Sequence, residues 1–376
     1  MALTSKANEM RQNGEDVLVL TVGEPDFDTP QYIKDAAKKA IDEGHTKYTS
    51  VDGTLELKKA IVSKFKNENN LDYDINEVIV SAGCKQSIFN LLQVIIRDGD
   101  EVIIPQPYWV SYSDMVVYSG GIPVMLETSY EENFDIDPSK LESLINDKTK
   151  LFMLNSPNNP SGKYFDSLLL KKLGNILLKH KNIYISSDDI YEHIHWNKEK
   201  FHNIVNACPE LKDRVIVLNG VSKAYSMTGW RIGYAAGDKE IIKKMKTLQS
   251  QSTSCASSIS QAAACEALSK VCEEMPLMTQ EYKKRHDYVV EQLNKIDGVI
   301  CKETDGTFYV FPSFKKYISN SDNVANDKEL ALHLLNVAKV AVVPGSAFGQ
   351  EGHIRLSIAI DIDSLREAMK RISNSL

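Results

Sequence analysis

Val215-Ile216-Val217-Leu218 runs directly into Asn219-Gly220-Val221-Ser222-Lys223-Ala224-Tyr225-Ser226-Met227-Thr228-Gly229-Trp230-Arg231-Ile232-Gly233. The four apolar residues, followed by turn formers, read as a buried strand. A lysine stands just past the strand's end among small and hydroxyl residues, and an arginine follows eight positions later. Burying an ammonium is costly unless it is paired or its pKa falls. A partly desolvated lysine can be neutral and nucleophilic, and can form a Schiff base with an aldehyde. The bland alternative is a lysine that snorkels from a strand end to solvent.

The segments around this stretch repeat its pattern. Val78-Ile79-Val80 leads to Gly83 and a helix from about Lys85 to Ile96. Val102-Ile103-Ile104 leads to Pro105-Gln106-Pro107-Tyr108-Trp109 and another helical segment. Leu151-Phe152-Met153-Leu154 leads to Asn155-Ser156-Pro157-Asn158-Asn159-Pro160, and Ile183-Tyr184-Ile185 leads to Asp188-Asp189-Ile190-Tyr191. Short apolar strands alternating with helices imply an α/β fold, with a mostly parallel sheet sandwiched by helices. Upstream, Leu18 to Val22 reads as a strand, Thr29 as a helix cap with Pro30 at the first helical position, and Gly44 as the stop. A second helix carries Leu57, Ile61 and Phe65. From about residue 281 the pattern changes to a long charged helix, Thr307 to Phe311, and then a helix–strand–strand–helix tail. The expected division is 1–28 as the N-terminal part of a small domain, 29–280 as the large domain, and 281–376 as a smaller α+β domain.

In open α/β sheets, ligands bind beyond the carboxyl ends of the strands. Five strand ends here carry residues poor for packing and good for chemistry: Gly83, Trp109, Asn159, Asp188 and Lys223. Each has a plain structural explanation taken alone, but a parallel sheet would bring all five to one pocket. Gly83 before a helix offers backbone N–H groups to an anion, and Arg231 adds charge-assisted bonds to it. Trp109 offers a flat face for a ring. Asp188 suits a protonated ring nitrogen, Tyr191 and Asn159 a ring oxygen, and Lys223 an aldehyde. A ring with those groups and a phosphate is pyridoxal 5'-phosphate.

Other classes fit less well. The chain has 376 residues, 25% of them charged, with a formal net charge of −7 and no basic stripe, which argues against nucleic acid. No apolar run reaches the ~18 residues of a membrane span, and the start lacks a signal-peptide core. Six scattered cysteines without Cys-x-x-Cys suit a reducing, cytoplasmic setting. Gly83-Cys84-Lys85-Gln86-Ser87 lacks the glycine spacing of a phosphate-binding P-loop, and no G-x-G-x-x-G appears. His193 and His195 alternate as if on one strand face, but further ligands are not evident, so no metal is expected.

With these residues in hand, the chain resembles the class I pyridoxal-phosphate aminotransferases of the aspartate aminotransferase family, in the branch found in many bacteria. The likeness runs along the whole chain. It rests on Gly23-Glu24-Pro25-Asp26-Phe27-Asp28-Thr29-Pro30, Pro107-Tyr108-Trp109-Val110-Ser111-Tyr112, Asn155 to Gly162, Ser187-Asp188-Asp189-Ile190-Tyr191, Ser222 to Arg231, and Val343-Pro344-Gly345 with Arg355-Leu356-Ser357. The resemblance implies fold type I, with Lys223 as the covalent and proton-shuttling amine. It puts Asp188 at the ring nitrogen, Tyr191 and Asn159 at the ring oxygen, and Trp109 on the ring face. Gly83, Cys84, Lys85, Ser222 and Arg231 would surround the phosphate. Arg355 would hold the substrate α-carboxylate, beside Asn159, Trp109 and the Gly23 backbone. It also implies a homodimer with shared sites, in which Tyr48 reaches the partner's phosphate. The reaction implied is amino-group transfer from an L-amino acid, aspartate first, to a 2-oxo acid, 2-oxoglutarate first. The alternatives are a β-lyase or decarboxylase on the same fold, or a ligand-sensing module, which would usually carry a DNA-binding extension. Three departures stand out. Cys84 occupies a place where glycine or alanine is common, which allows a reactive thiol. Gly220 replaces a frequent hydroxyl, leaving Ser222 or a backbone group to compensate. Family members usually have a further N-terminal stretch near the partner's site.

Overall fold

The computed structural model describes residues 2–376; Met1, the first residue of the 1–28 segment, lies outside them. The strands are β1 (Leu18–Val19), β2 (Val78–Ser81), β3 (Glu101–Pro105), β4 (Ile122–Leu126), β5 (Thr149–Asn155), β6 (Tyr184–Asp188), β7 (Val215–Gly220), β8 (Gly233–Ala236), β9 (Tyr309–Val310), β10 (Val340–Ala341), β11 (Val343–Pro344) and β12 (Ile354–Ser357). Seven of them form one sheet in the order β2-β8-β7-β6-β5-β3-β4. Within it, β8 alone runs antiparallel to its neighbours β2 and β7.

Alternate residues of each strand enter different cores. Ile79, Ile216 and Leu218 pack on one face of the sheet. Val78, Val80, Val215 and Val217 pack on the other. Burial on both faces is why these strands read as unbroken apolar runs rather than as alternating ones. Helices α1 (Ala2–Gln12), α2 (Gln31–Asp42) and α3 (Leu55–Asn69) precede α4 (Cys84–Ile95), which, like Lys239–Ser250, buries its apolar side in the first core. The helices Gln31–Asp42 and Leu55–Asn69 bury theirs in the second.

Two strands escaped the sequence reading. β4 carries Pro123 and lies at the sheet edge, where a proline is tolerated. β8 is Gly-Tyr-Ala-Ala, too short and too poor in branched residues to stand out, and it begins with Gly233 because a Cβ there would stand 2.0 Å from the Cys84 nitrogen. A helix at Ala2–Gln12 was also missed; its Ala7 and Met10 pack against Leu335 and Ala341. Thr29 is not a helix cap. Its hydroxyl donates to the Ser226 carbonyl at 2.6 Å and accepts from Trp230 Nε1 at 3.0 Å, tying it to the Lys223 loop, and the helix starts at Gln31 after Pro30. Gly44, with φ 78°, does end that helix.

The remaining strands make smaller sheets. β1 pairs in parallel with β10, so the N-terminal segment joins the C-terminal part of the chain. β11, β12 and β9 form an antiparallel trio. The helix Glu274–Leu293 runs unbroken through residues 280 and 281. Among the described residues, no helix is long and apolar enough to cross a membrane.

Candidate active site

The carboxyl ends of β2, β3, β5, β6 and β7 face a cavity of about 1030 Å³, walled on its other side by Thr21, Tyr309, Phe348 and Arg355. That size suits a cofactor together with a small substrate. Cys84, Lys85, Trp109, Asn159, Asp188, Tyr191, Ser222, Lys223, Arg231, Gly23 and Arg355 all line it. Gly83 sits just behind, where φ is 88° and a Cβ would stand 2.3 Å from Arg231 Nη2. Only glycine both adopts that backbone and lets the guanidinium approach the start of α4.

Lys223 is half-buried, and its Nζ donates to the Gly23 carbonyl at 2.6 Å. Desolvation brings its pKa down to about 8; Arg231 and Arg355 push the same way, against Glu24 and Asp188. Asp188 is buried at the end of β6. Its Oδ2 accepts from the Tyr112 hydroxyl at 2.6 Å, and its Oδ1 from the Ile190 N–H at 3.3 Å. Burial raises its pKa to about 6, although both bonds and Lys223 favour the anion. A buried carboxylate without an ion-pair partner among the described residues and an amine with a depressed pKa thus share one cavity.

Arg355 is buried on β12. Its Nη1 donates to Asn159 Oδ1 at 3.0 Å and its Nη2 to the Thr21 carbonyl at 2.6 Å, while Nε has no partner among the described residues. Its guanidinium lies 4.5 Å from the Tyr309 ring centroid and 5.0 Å from that of Phe348. Asn159 is held from behind, its N–H donating to Asn155 Oδ1 at 2.9 Å, and Asn155 Nδ2 donates to the Asp188 carbonyl at 2.9 Å. The Tyr191 and Tyr309 hydroxyls are 3.0 Å apart. Lys85 Nζ lies 4.6 Å from the Trp109 ring centroid.

The residues present fit pyridoxal phosphate. The first turn of α4 has no side-chain cap at Gly83, and Arg231 closes on it, which leaves an anion cradle. Among the described residues Arg231 bonds only to carbonyls, those of Thr228 and Ala82. Among the described residues Asp188 has no ion-pair partner, and burial holds the Lys223 amine well below the usual lysine range.

The full length of the chain leads to the same class. The family described as aminotransferase class I and II matches residues 15–372. The chain is 49% identical to an aspartate/prephenate aminotransferase of Nitrosomonas europaea, over 100% of this chain and 96% of that one.

The chain belongs to the class I and II aminotransferases.

Among solved structures of this family, the aspartate aminotransferase of Rhizobium meliloti superposes with a TM-score of 0.96 at 44% identity, covering 100% of this chain and 94% of that one. The aspartate aminotransferase of Thermus thermophilus, solved with maleate, superposes with a TM-score of 0.93 at 40% identity, covering 100% and 96%. The protein is therefore a pyridoxal-phosphate-dependent transaminase acting on amino acids and 2-oxo acids.

Several sequence expectations need adjustment against this aminotransferase site. Tyr48, which the resemblance gives to the partner's site rather than to this one, needs none: it is 92% exposed and outside this chain's own cavity. His193 and His195 are not on a strand face: the Glu192 and Ile194 N–H groups donate to the Asp189 and Tyr191 carbonyls in turns, and the two histidines diverge. His193 bonds Glu68 at 3.0 Å, while His195 stacks on Tyr164. Glu68, Glu192 and His193 do cluster, but Lys64 already fills the position of a cation there, bonded to Glu192. Cys84 is not an activated thiol, because burial and the nearby Asp188 and Asp189 push its pKa well up. Gly220 leaves no room for a side chain, since a Cβ would stand 2.9 Å from the Ile232 carbonyl across the β7–β8 pairing. Sequence reasoning missed Tyr112, Asn155, Thr21, Tyr309 and Phe348 as site residues. Tyr112 and Asn155 lay inside quoted motifs; the others had no local signal.

Proposed function

We propose that this transaminase takes acidic amino donors, aspartate first, with 2-oxoglutarate as acceptor, and that prephenate belongs to its 2-oxo acid range. The observation that carries this reading is the set of cations on one cavity. Arg231 serves the phosphate, Arg355 the α-carboxylate and Lys223 the chemistry, which leaves Lys85 for a second carboxylate. Among the described residues Lys85 has no ion-pair partner within 4.0 Å, and its ammonium lies over Trp109 at the cavity wall. The Nitrosomonas relative is named for aspartate and prephenate, and the Thermus structure holds maleate, a dicarboxylate.

Pyridoxal phosphate, when bound, supplies an aldehyde for capture of the amino group and a ring that withdraws electrons from the substrate α-carbon. Lys223 would hold it through Nζ, and the same amine is placed to act as the base and acid for the proton on the substrate α-carbon. Asp188 would pair with a proton on the ring nitrogen. Asn159 and Tyr191 would serve the ring oxygen, and Trp109 would cover a ring face. The first turn of α4, Ser222 and Arg231 would bind the phosphate. Arg355 clamps the α-carboxylate through the N–H groups that its bonds to Asn159 and Thr21 leave free. The cycle is ping-pong.

The assembly in this reading is a homodimer, with exposed Tyr48 reaching the partner's phosphate, and the setting is cytoplasmic. The division 1–28, 29–280 and 281–376 is the body plan we propose, with Glu274–Leu293 linking the last two parts. The deciding experiment is borohydride trapping with peptide mapping, then a panel of amino donors read as half-reactions. The expected adduct is on Lys223, with acidic donors fastest. An adduct elsewhere, or no preference for acidic donors, overturns the reading.

A further inference from the structure

We propose that Tyr112 is a positioning residue of the cofactor pocket, its hydroxyl holding the Asp188 carboxylate in the orientation that meets the ring nitrogen. This rests on the reading of Asp188 given above. Tyr112 is buried in the first turn of the helix Ser111–Tyr118, where its ring stands edge-on to Trp109 at 5.4 Å and 88°. Its N–H bonds the Trp109 carbonyl at 2.9 Å. One turn of chain therefore carries both the platform for the ring face and the donor to the carboxylate.

Among the described residues, Tyr112 is the only strong donor to Oδ2, at 2.6 Å. The other oxygen has a longer bond from the Ile190 N–H, at 3.3 Å, and Cys84 Sγ at 4.0 Å. A carboxylate held by one long backbone bond can rotate about its last side-chain torsion, which is broad in the absence of partners. The short O–H···O⁻ bond removes that freedom. Burial and the adjacent Asp188 keep the phenol protonated, so it remains a donor rather than a second anion.

A buried tyrosine also needs some acceptor, and a purely structural role would use any. The two roles separate by cofactor chemistry. Full-length chain, stripped of cofactor, is titrated with pyridoxal phosphate and with its carbocyclic analogue, in which C–H replaces the ring nitrogen. Tyr112→Phe is expected to weaken pyridoxal phosphate roughly ten- to hundredfold, the range for losing a hydrogen bond to a charged group. The analogue should change by less than about threefold, because its ring makes no bond to Asp188. Equal weakening of both ligands by Tyr112→Phe overturns the proposal. Asp188→Asn is the control: it should abolish the wild-type preference for the natural ring. A preference that survives Asp188→Asn overturns the reading of Asp188 itself, and the role of Tyr112 with it. Tyr112→His, which keeps a ring N–H donor, is the second variant should Tyr112→Phe not fold. It should retain the preference within about threefold, and a loss as large as in Asp188→Asn overturns the proposal.

Discussion

Arg355→Lys tests the substrate clamp most directly. The substitution keeps a positive charge but loses the planar fork. In the structure that fork is fixed by four contacts: Asn159 Oδ1 at 3.0 Å, the Thr21 carbonyl at 2.6 Å, and the rings of Tyr309 and Phe348 at 4.5 and 5.0 Å. A lysine ammonium offers three donors from one point. It can serve the substrate carboxylate or the two buried acceptors, but not all of them in the fixed geometry. Loss of one charge-assisted bond to the carboxylate costs about 1.5–3 kcal/mol, and a poorly satisfied buried acceptor adds about 1 kcal/mol. The sum, about 2.5–4 kcal/mol, predicts a fall of roughly 70- to 1000-fold in kcat/KM. The assay is the single-turnover half-reaction with aspartate, followed by the cofactor absorbance. A primary amine without the α-carboxylate serves as the control donor and should react with variant and wild type alike. A kcat/KM for aspartate within about twofold of wild type would refute the clamp, as would an equal loss for the control amine. Arg355→Ala, which also removes the charge, should cost more than Arg355→Lys.

Lys85→Met should lower kcat/KM for aspartate about tenfold while leaving an aromatic donor within about twofold, the loss fitting one solvent-exposed charged contact; equal losses for both donors would remove Lys85 from side-chain recognition. Asp188 has a folded-state pKa raised to about 6, so its contribution to the stability of the cofactor-free chain is greatest below its ordinary carboxylate range and is lost as pH rises through about 6. The stability of wild type relative to Asp188→Asn, from urea titrations without cofactor, should therefore fall by a few kcal/mol between about pH 4 and pH 8, and a flat difference contradicts the buried, unpaired carboxylate. Cys84 should react with iodoacetamide at pH 8 at least about a hundredfold more slowly than a free thiol, because its thiolate is disfavoured; a fast reaction would show an activated sulfur. For the shared site, mixing Tyr48→Ala with Lys223→Ala chains should restore activity in the hybrid dimer, which contains one intact site; verified hybrids without recovery would place Tyr48 outside the partner's site.

Local chemistry explains why so much of this site could be read early. Strands buried on both faces must be apolar throughout, so residues such as Asp188 and Lys223 at their ends stand out against Val215-Ile216-Val217-Leu218. The strands that escaped notice obeyed other rules. β8 must begin with Gly233 because the start of α4 passes against it, and β4 tolerates Pro123 because it lies at an edge. Thr29 looked like a cap because a hydroxyl before Pro30 satisfies a local rule, yet its bonds go to Ser226 and Trp230, far along the chain.

The order of apolar runs and turns was enough to settle the α/β class and the line of functional groups at the strand ends, since both follow from short-range periodicity and from the cost of burying polar side chains. Partnership across the chain was not. Arg355 meets Thr21 and Asn159, Tyr112 meets Asp188, and the Gly23 carbonyl meets Lys223. Those contacts, and the pKa shifts that come with them, depend on which distant groups share a desolvated cavity, and only the folded chain brings them there.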